Sequence, residues 1–285
     1  MAYRRYAARR RFASKRSTTR KSRAYPTRRT TRKRTYRKKT SSKKRLVNMM
    51  SRKKRDTTLS GAAPGNNPAP VATLTRNEVR ILPTTVSSYH TGTHAFLFSP
   101  TYRWLSPNNA EYVALRTATR PFYKGFKETF EFSTNDGSLW LWRRIAFSTK
   151  DKELVPLLVR ANLGAQVSPT ALTNRPFRDL SGEGSGNYQS ALTNVYAAIF
   201  AGIDTTDWNN PLTASLDRTR VNVLFDKSRR FQSGNANGIS RIVKTYIPIN
   251  KTLVYDDEEN GISISPAAQT VDSKQGMGDM YVLDF

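Results

Sequence analysis

Residues 122–148 read FYKGFKETFEFSTNDGSLWLWRRIAFS, two apolar patterns on either side of a turn signal. In the first pattern the phenylalanines at 122, 126, 130 and 132 fall on one face of an extended chain, and Lys127 and Glu131 fall on the other. This alternation predicts a half-buried β-strand. The second pattern, residues 139–147, is apolar on both faces and predicts a central strand that is covered on both sides. The Asn-Asp-Gly sequence at 135–137 favours a turn between the two strands.

Short apolar segments and turns continue through the rest of the chain from residue 71 onward. Further strands are predicted at 93–99, 111–119, 220–226, 240–249, 251–255 and 280–285. Residues 188–200 have apolar side chains at helical spacing, although a strand is nearly as well supported there. About eight strands with irregular loops favour an all-β fold, either a sandwich or a jelly roll. We expect the last strand, MYVLDF, to lie inside a sheet.

Positive charge is concentrated at the N-terminus. The first 55 residues contain 25 Lys and Arg and no Asp or Glu, whereas residues 56–285 contain 23 basic and 21 acidic residues. A segment that repels itself this strongly buries too little apolar surface to fold alone. The sequence SGAAPGNNPAP at 60–70 has the composition of a linker. We therefore predict a disordered basic arm and linker over residues 1–70 and a single domain over residues 71–285.

The arm has the chemistry of a nucleic-acid ligand. Arginine binds phosphate through a planar fork, and the aromatic side chains among the arginines offer faces on which any base can stack. A purely solubilising tail is the alternative, and it is less favoured. The residues predicted to bind nucleic acid are Arg4, Arg5, Arg9, Arg10, Arg11, Lys15, Arg16, Arg20, Lys21, Arg23, Arg28, Arg29, Arg32, Lys33, Arg34, Arg37, Lys38 and Lys39.

Two basic clusters near the end of the arm resemble nuclear import signals, which receptors bind as extended basic peptides. A segment this rich in basic residues also produces such matches by chance, so the prediction depends more on an exposed, flexible setting than on the pattern. The residues concerned are Lys43, Lys44, Arg45, Arg52, Lys53, Lys54 and Arg55.

Catalytic and metal-binding patterns are weak. The chain has no cysteine, which excludes disulfides and thiolate metal sites. Its two histidines, His90 and His94, flank a glycine and two threonines, and they indicate a loop or strand more than a metal site. The GEGSGN sequence at 182–187 lacks the lysine and the context of a phosphate-binding loop and indicates a flexible loop. We expect no enzymatic activity, no cofactor and no metal.

Two further motifs leave alternatives open. The acidic run at Asp256–Glu259 could hold a cation at a subunit contact or pair with the basic face of a neighbouring subunit, although a solvated turn is favoured. The tryptophans at 140 and 142 could stack on bases, but core or interface positions are favoured.

No apolar run approaches the length of a membrane span, and none follows the basic N-terminus as in a signal peptide. A soluble protein made in the cytosol, without membrane insertion, is expected.

Four blocks that occur in order along the chain resemble the capsid proteins of genomoviruses, which are small viruses with circular single-stranded DNA. The most specific block contains Trp-x-Trp-Arg-Arg, whereas an Arg-rich N-terminus alone would also fit circovirus and geminivirus capsid proteins. The blocks are SRKKRDTT (51–58), GFKETFEFSTNDGSLWLWRRIAFS (125–148), LVYDDEENG (253–261) and GMGDMYVLDF (276–285).

The resemblance implies a single eight-stranded jelly roll and a T=1 icosahedral shell of about sixty identical subunits, closed by symmetry. It also implies a packaged single-stranded DNA genome, a host nuclear import receptor as partner, and location in the virion and the host nucleus. The alternative from composition is a cellular basic nucleic-acid-binding protein of ribosomal or chromatin type, which would not form closed shells. A nuclease would need clustered carboxylates for metal ions, and the sequence offers no such pattern.

Overall fold

A computed structural model describes residues 42–62, 79, 81, 90, 92–106, 114–160, 163–166, 174–181 and 186–285. The chain divides into two compact units, residues 1–52 and residues 53–285. The described helices are α1 (Lys43–Met50), α2 (Val155–Arg160) and α3 (Gly186–Ile199). The described strands are β1 (Leu59–Ala62), β2 (Phe96–Phe98), β3 (Phe122–Thr134), β4 (Trp140–Thr149), β5 (Asn174–Phe177), β6 (Asn222–Phe231), β7 (Ile239–Thr252), β8 (Glu258–Glu259), β9 (Ile264–Ser265) and β10 (Asp279–Asp284).

The folded body begins earlier than the sequence predicted. Lys54 Nζ donates to the Leu115 carbonyl oxygen at 2.9 Å, and Asp56 pairs with Arg103 at 2.6 Å. Strand β1 then pairs in parallel with β5. These contacts place residues 53–62 in the second unit, inside the range predicted to be disordered. The predicted disorder of residues 1–41 and 63–70 lies outside the described residues.

Helix α1 also lies inside the predicted arm. Its N-terminus is capped by Ser42, whose Oγ accepts a hydrogen bond from the Arg45 backbone N–H. A serine N-cap supplies an acceptor for a backbone N–H that has no partner within the helix, and no Gly or Pro interrupts KKRLVNMM. Local capping and propensity thus oppose the charge repulsion on which the prediction of disorder was based.

Most of the regular structure is β-strand, which confirms the prediction of a β-rich body. Antiparallel strands form a four-stranded sheet in the order β2-β10-β4-β6, and β3 pairs with β7 in a long antiparallel ribbon. Strands β8 and β9 form a short hairpin. Three of the antiparallel pairs are nested, β2 with β10, β3 with β7 and β4 with β6, and β10 also pairs with β4 inside the four-stranded sheet.

The four-stranded sheet is covered on both faces. On one face Ile145 and Phe147 of β4, with Tyr281 and Leu283 of β10, join a core that includes the apolar side of α3. The other face packs on the β3–β7 ribbon, through Ala146, Met280 and Val282 on the sheet and Ile247 and Ile249 on β7. The body therefore has three layers, and the position of β10 between β2 and β4 confirms that the last strand lies inside a sheet.

Some predicted positions shift by a few residues. Strand β4 is central as predicted, but Leu139 and Leu141 are about half exposed because the covered part of the strand begins at Trp142. Phe122 is 62% exposed, whereas Tyr123 packs inward with Phe126. An irregularity in the β3–β7 register beside Tyr123 breaks the alternation, and such a bulge moves following side chains to the opposite face.

Two other segments resolve open alternatives. Residues 188–200 contain most of α3, so the helical spacing there was the correct signal. The strand predicted at 111–119 is replaced, over described residues 114–119, by an isolated bridge between Arg116 and Leu105. The turn at Asn135–Gly137 connects the β3–β7 ribbon to the four-stranded sheet, since β3 and β4 pair with different partners.

Candidate assembly and nucleic-acid surfaces

The basic residues predicted to bind nucleic acid, Arg4 to Lys39, lie outside the described residues. Of the predicted import residues, Lys43, Lys44 and Arg45 begin helix α1, so they are helical and not extended. Residues 52–55 are outside any helix or strand, and Arg52, Lys53 and Arg55 are exposed there. Lys54 is partly buried through its bond to the Leu115 carbonyl. Residues 52–55 are therefore not helical, and three of their four basic side chains are exposed.

The Trp-Arg-Arg block is buried and forms an ion network between the layers. Arg144 donates from Nε to Asp284 at 2.7 Å and from Nη1 to Glu128 at 2.7 Å. Arg175 of β5 bonds to the same two carboxylates, from Nε to Glu128 and from Nη2 to Asp284, each at 2.8 Å. The Trp142 indole N–H donates to Asp284 at 2.9 Å. One buried cluster thus joins β3, β4, β5 and β10.

Aromatic rings enclose these guanidinium groups. The Arg144 guanidinium lies 4.4 Å from the Phe130 ring centre, and that of Arg175 lies 4.4 Å from Phe98 and 4.5 Å from Phe177. Burial by itself lowers the pKa of Arg144, but the carboxylates of Asp284 and Glu128 outweigh burial and raise that pKa. Two buried guanidinium groups are therefore matched by two carboxylates inside the fold.

Arg143 points to the other face of the sheet. It forms a bidentate pair with Asp226 of β6 at 3.0 and 2.9 Å, and its Nη1 donates to the Pro211 and Ala214 carbonyls at 2.8 and 2.7 Å. Trp142 is 8% exposed. Trp142 and the two arginines of this block therefore lie in the interior. The core position favoured for the tryptophans fits this burial better than base stacking does.

The acidic run forms a short hairpin whose base is held by Arg116. Asp257 accepts two bonds from Arg116 at 2.6 and 2.9 Å, and Arg116 also donates to the Ala267 carbonyl across the hairpin base. Burial alone raises the pKa of Asp257, but its bonds to Arg116 and to the Ala267 N–H lower it below its ordinary value. Asp256, Glu258 and Glu259 remain exposed, and Ile262 at the tip is 98% exposed.

A basic groove lies between the end of β6 and the start of β7. It is an open depression of about 520 Å³ bordered by Arg229, Arg230 and Arg241, with Ile242 and Phe231 contributing apolar surface. The three arginines are exposed, and Ile242 is 64% exposed. Phe231 is buried against Phe132 and Trp142, so its ring is not presented to a ligand.

Both histidines pair with carboxylates in irregular backbone. His90 contacts Asp204 at 3.1 Å and the Asn209 carbonyl at 2.8 Å, and its ring stacks on Trp208. His94 contacts Asp179 at 2.5 Å. Burial by itself raises the pKa of Asp179, and the bonds to His94 and Ser181 outweigh it and lower that pKa. Within the described part of the chain, no group of three His, Cys, Asp or Glu side chains is arranged to hold a metal.

Sequence reasoning missed the buried network and the basic groove. Two adjacent arginines in a continuous apolar strand were a usable signal, because a buried charge requires a partner. The partners are 16 and 140 residues away from Arg144, so only the fold identifies Glu128 and Asp284.

Among the described residues, no helix is long and apolar enough to cross a bilayer. No protein-family model matches the chain, and no curated protein matches it significantly.

Proposed function

We propose that this chain is a viral capsid protein, of the kind found in genomoviruses. It self-assembles into a small T=1 icosahedral shell and packages circular single-stranded DNA through its basic arm. It also delivers that DNA to the host nucleus, with the basic clusters at 43–45 and 52–55 as its import signal. The protein performs no covalent chemistry in this role.

The observation that carries the proposal is the nested pairing of β2 with β10, β3 with β7 and β4 with β6. A jelly roll is a pair of Greek keys wound so that strands from opposite ends of the chain pair inward in succession. Six of the strands follow that order, and a sheet packed on the β3–β7 ribbon matches the two layers of a jelly roll.

The charge distribution supports separate roles for the arm, which binds DNA, and for the body, which packs against its copies. The first 52 residues contain 22 Lys and Arg without an acidic residue, so the folded unit from Lys53 onward has a net charge of only +5. Nucleic-acid affinity from phosphate neutralisation depends on the number of cationic contacts. The arm therefore supplies most of the affinity for DNA, while the nearly neutral body can pack against its copies without strong repulsion.

The test is negative-stain electron microscopy of the purified full chain with and without circular single-stranded DNA, combined with sedimentation analysis. Closed shells of uniform diameter that protect DNA from nuclease are expected. A protein that stays monomeric, or that only coats DNA without closing, would instead fit a cellular basic DNA- or RNA-binding protein and would overturn the proposal.

A further inference from the structure

The acidic hairpin and the basic groove are complementary surfaces on one chain. The hairpin, residues 256–265, presents three exposed carboxylates and two exposed isoleucines, Ile262 and Ile264. The groove presents three exposed arginines beside the exposed Ile242. Among the described residues, neither the three arginines of the groove nor Asp256, Glu258 and Glu259 form an ion pair.

The two surfaces cannot meet within one molecule. The groove lies at the start of β7, near Arg241, and the hairpin follows the end of β7 at Thr252. Eleven residues of extended strand separate these positions, which is about 35 Å at the rise of a β-strand. Strand β7 pairs with β3 along this length, with one irregularity beside Tyr123. A second copy of the chain is the partner that can bring hairpin and groove together.

Hydrogen bonds fix the hairpin at its base and at its tip. Arg116 fixes its base through Asp257 and the Ala267 carbonyl. At its tip the Asn260 N–H donates to the Ser263 carbonyl, the Ser263 N–H donates to Asn260 Oδ1, and Gly261 has the positive φ of +75° that the turn requires. Because the hairpin is fixed before it meets a partner, less conformational entropy is lost on binding.

We propose that the acidic hairpin of one subunit docks in the basic groove of a neighbouring copy, with its carboxylates on the arginines and Ile262 beside Ile242. This contact rests on the proposed function, and it names the surfaces by which the copies associate. It is head-to-tail, since different surfaces of the two copies meet, and repeated head-to-tail contacts close into rings when the rotation between subunits allows it.

Single-stranded DNA is the competing occupant of the groove, and the groove suits it less well. Non-specific binding of single strands uses exposed aromatic rings for base stacking. The one aromatic residue lining this groove, Phe231, is 5% exposed. Exposed aliphatic surface beside the arginines matches the exposed isoleucines of the hairpin and contributes to affinity when both are buried.

The first experiment reverses charges in the full chain. Variant H carries Asp256→Lys, Glu258→Lys and Glu259→Lys, and variant G carries Arg229→Glu, Arg230→Glu and Arg241→Glu. Each is expected to reduce the yield of assembled particles at least tenfold, whereas the combined variant, in which attraction is restored, recovers most of the yield. The matched control for G is Lys127→Glu, Lys251→Glu and Lys274→Glu, which changes the net charge equally on exposed residues elsewhere and retains assembly.

The second experiment uses the absence of cysteine from the chain. A variant with Ile262→Cys and Ile242→Cys, mildly oxidised, should give a ladder of disulfide-linked dimers, trimers and larger species on a non-reducing gel. Each single variant can give dimers at most. If the double variant also stops at dimers, hairpin and groove do not meet and the contact is overturned.

The outcomes separate this contact from the proposed function. Closed shells in the wild type with no effect of charge reversal would remove the contact and leave the capsid proposal intact. A cysteine ladder from a protein that forms filaments and never closed shells would establish the contact and remove the capsid proposal. If variant G assembles normally but binds single-stranded DNA less tightly, the groove is a nucleic-acid site and the contact is overturned.

Discussion

At the scale of single residues, Arg144 and Arg175 place two positive charges in the interior, and Glu128 and Asp284 balance them there. Removing two charges from water costs several kcal/mol per ion, so the network contributes little net stability over an apolar core. Its geometry is demanding, because each carboxylate accepts from both guanidinium groups. It therefore fixes how β3, β4, β5 and β10 are aligned.

Replacing Asp284 with Asn should lower the free energy of unfolding by about 3–5 kcal/mol, because two buried arginines lose a shared counter-charge. Urea denaturation monitored by tryptophan fluorescence measures the change. Asp272→Asn is the control, since the Asp272 side chain is 74% exposed and its pairing with Lys152 is a surface contact worth about 1 kcal/mol at most. Equal losses in the two variants would mean that the network does not hold the layers together.

The bonds between Asp257 and Arg116 at the base of the hairpin predict that stability depends on pH. The pKa of Asp257 is lower in the folded protein than its ordinary value of 3.8. The unfolded chain therefore takes up this proton first as the pH falls, so the stabilisation is complete above that value and is lost as the pH drops below it.

In urea titrations, Asp257→Asn should have a lower free energy of unfolding than the wild type at pH 7. This difference should stay constant as the pH falls and should shrink only below the ordinary carboxyl pKa. Asp256→Asn, the exposed neighbouring position, should leave stability unchanged at every pH. A margin that already narrows near neutral pH would show that another group is responsible.

At the scale of elements, the sequence predicted what local patterns control. The alternation that begins at residue 122 identified β3, and the pattern over residues 139–147, apolar on both faces, identified β4, because periodicity reports which faces are covered. The irregularity beside Tyr123 depends on how β7 pairs with β3 and has no local signature. The basic groove was equally hidden, since Arg230 and Arg241 come together where β6 of the four-stranded sheet leads into β7 of the β3–β7 ribbon.

The loop between β6 and β7 offers a matched pair of glycines. Gly238 has a φ of +76°, and a methyl group on it would overlap the Thr134 carbonyl oxygen of the neighbouring strand end. Gly238→Ala should therefore lower the free energy of unfolding by more than about 1 kcal/mol. At Gly234, in the same loop, no atom lies within 4 Å of the position that a methyl group would take, so Gly234→Ala should change stability little. Thermal melts of both variants, followed by circular dichroism, would show a difference in Tm, and equal melting temperatures would contradict the constraint at Gly238.

At the scale of the whole molecule, most of the net positive charge lies in residues 1–52, outside the second unit. Deleting residues 2–52 should remove most affinity for single-stranded DNA and leave a folded body, because only a net +5 remains. For the full chain, the logarithm of the binding constant should fall with the logarithm of salt concentration by about 0.7 per phosphate contact. Fluorescence anisotropy with a labelled oligonucleotide measures both quantities.

The control is a full chain with the same arm residues in shuffled order, which should bind as well as the wild type because the contacts do not depend on sequence. A truncated protein that binds as tightly as the full chain would place the DNA-binding surface on the body. A shuffled arm that fails to bind would show that the order of its residues matters.

The nested strand order also decides when the protein can fold during its synthesis. Phe98 of β2 pairs with Val282 of β10, and β10 separates β2 from β4 in the sheet. On the ribosome the four-stranded sheet therefore lacks its second strand until almost all of these residues have been translated. Such long-range pairing folds slowly and leaves apolar strands open in the meantime. The basic arm leaves the exit tunnel long before that moment. Under the proposed function, the arm would thus be free to bind nucleic acid before the body has folded into a surface for another subunit.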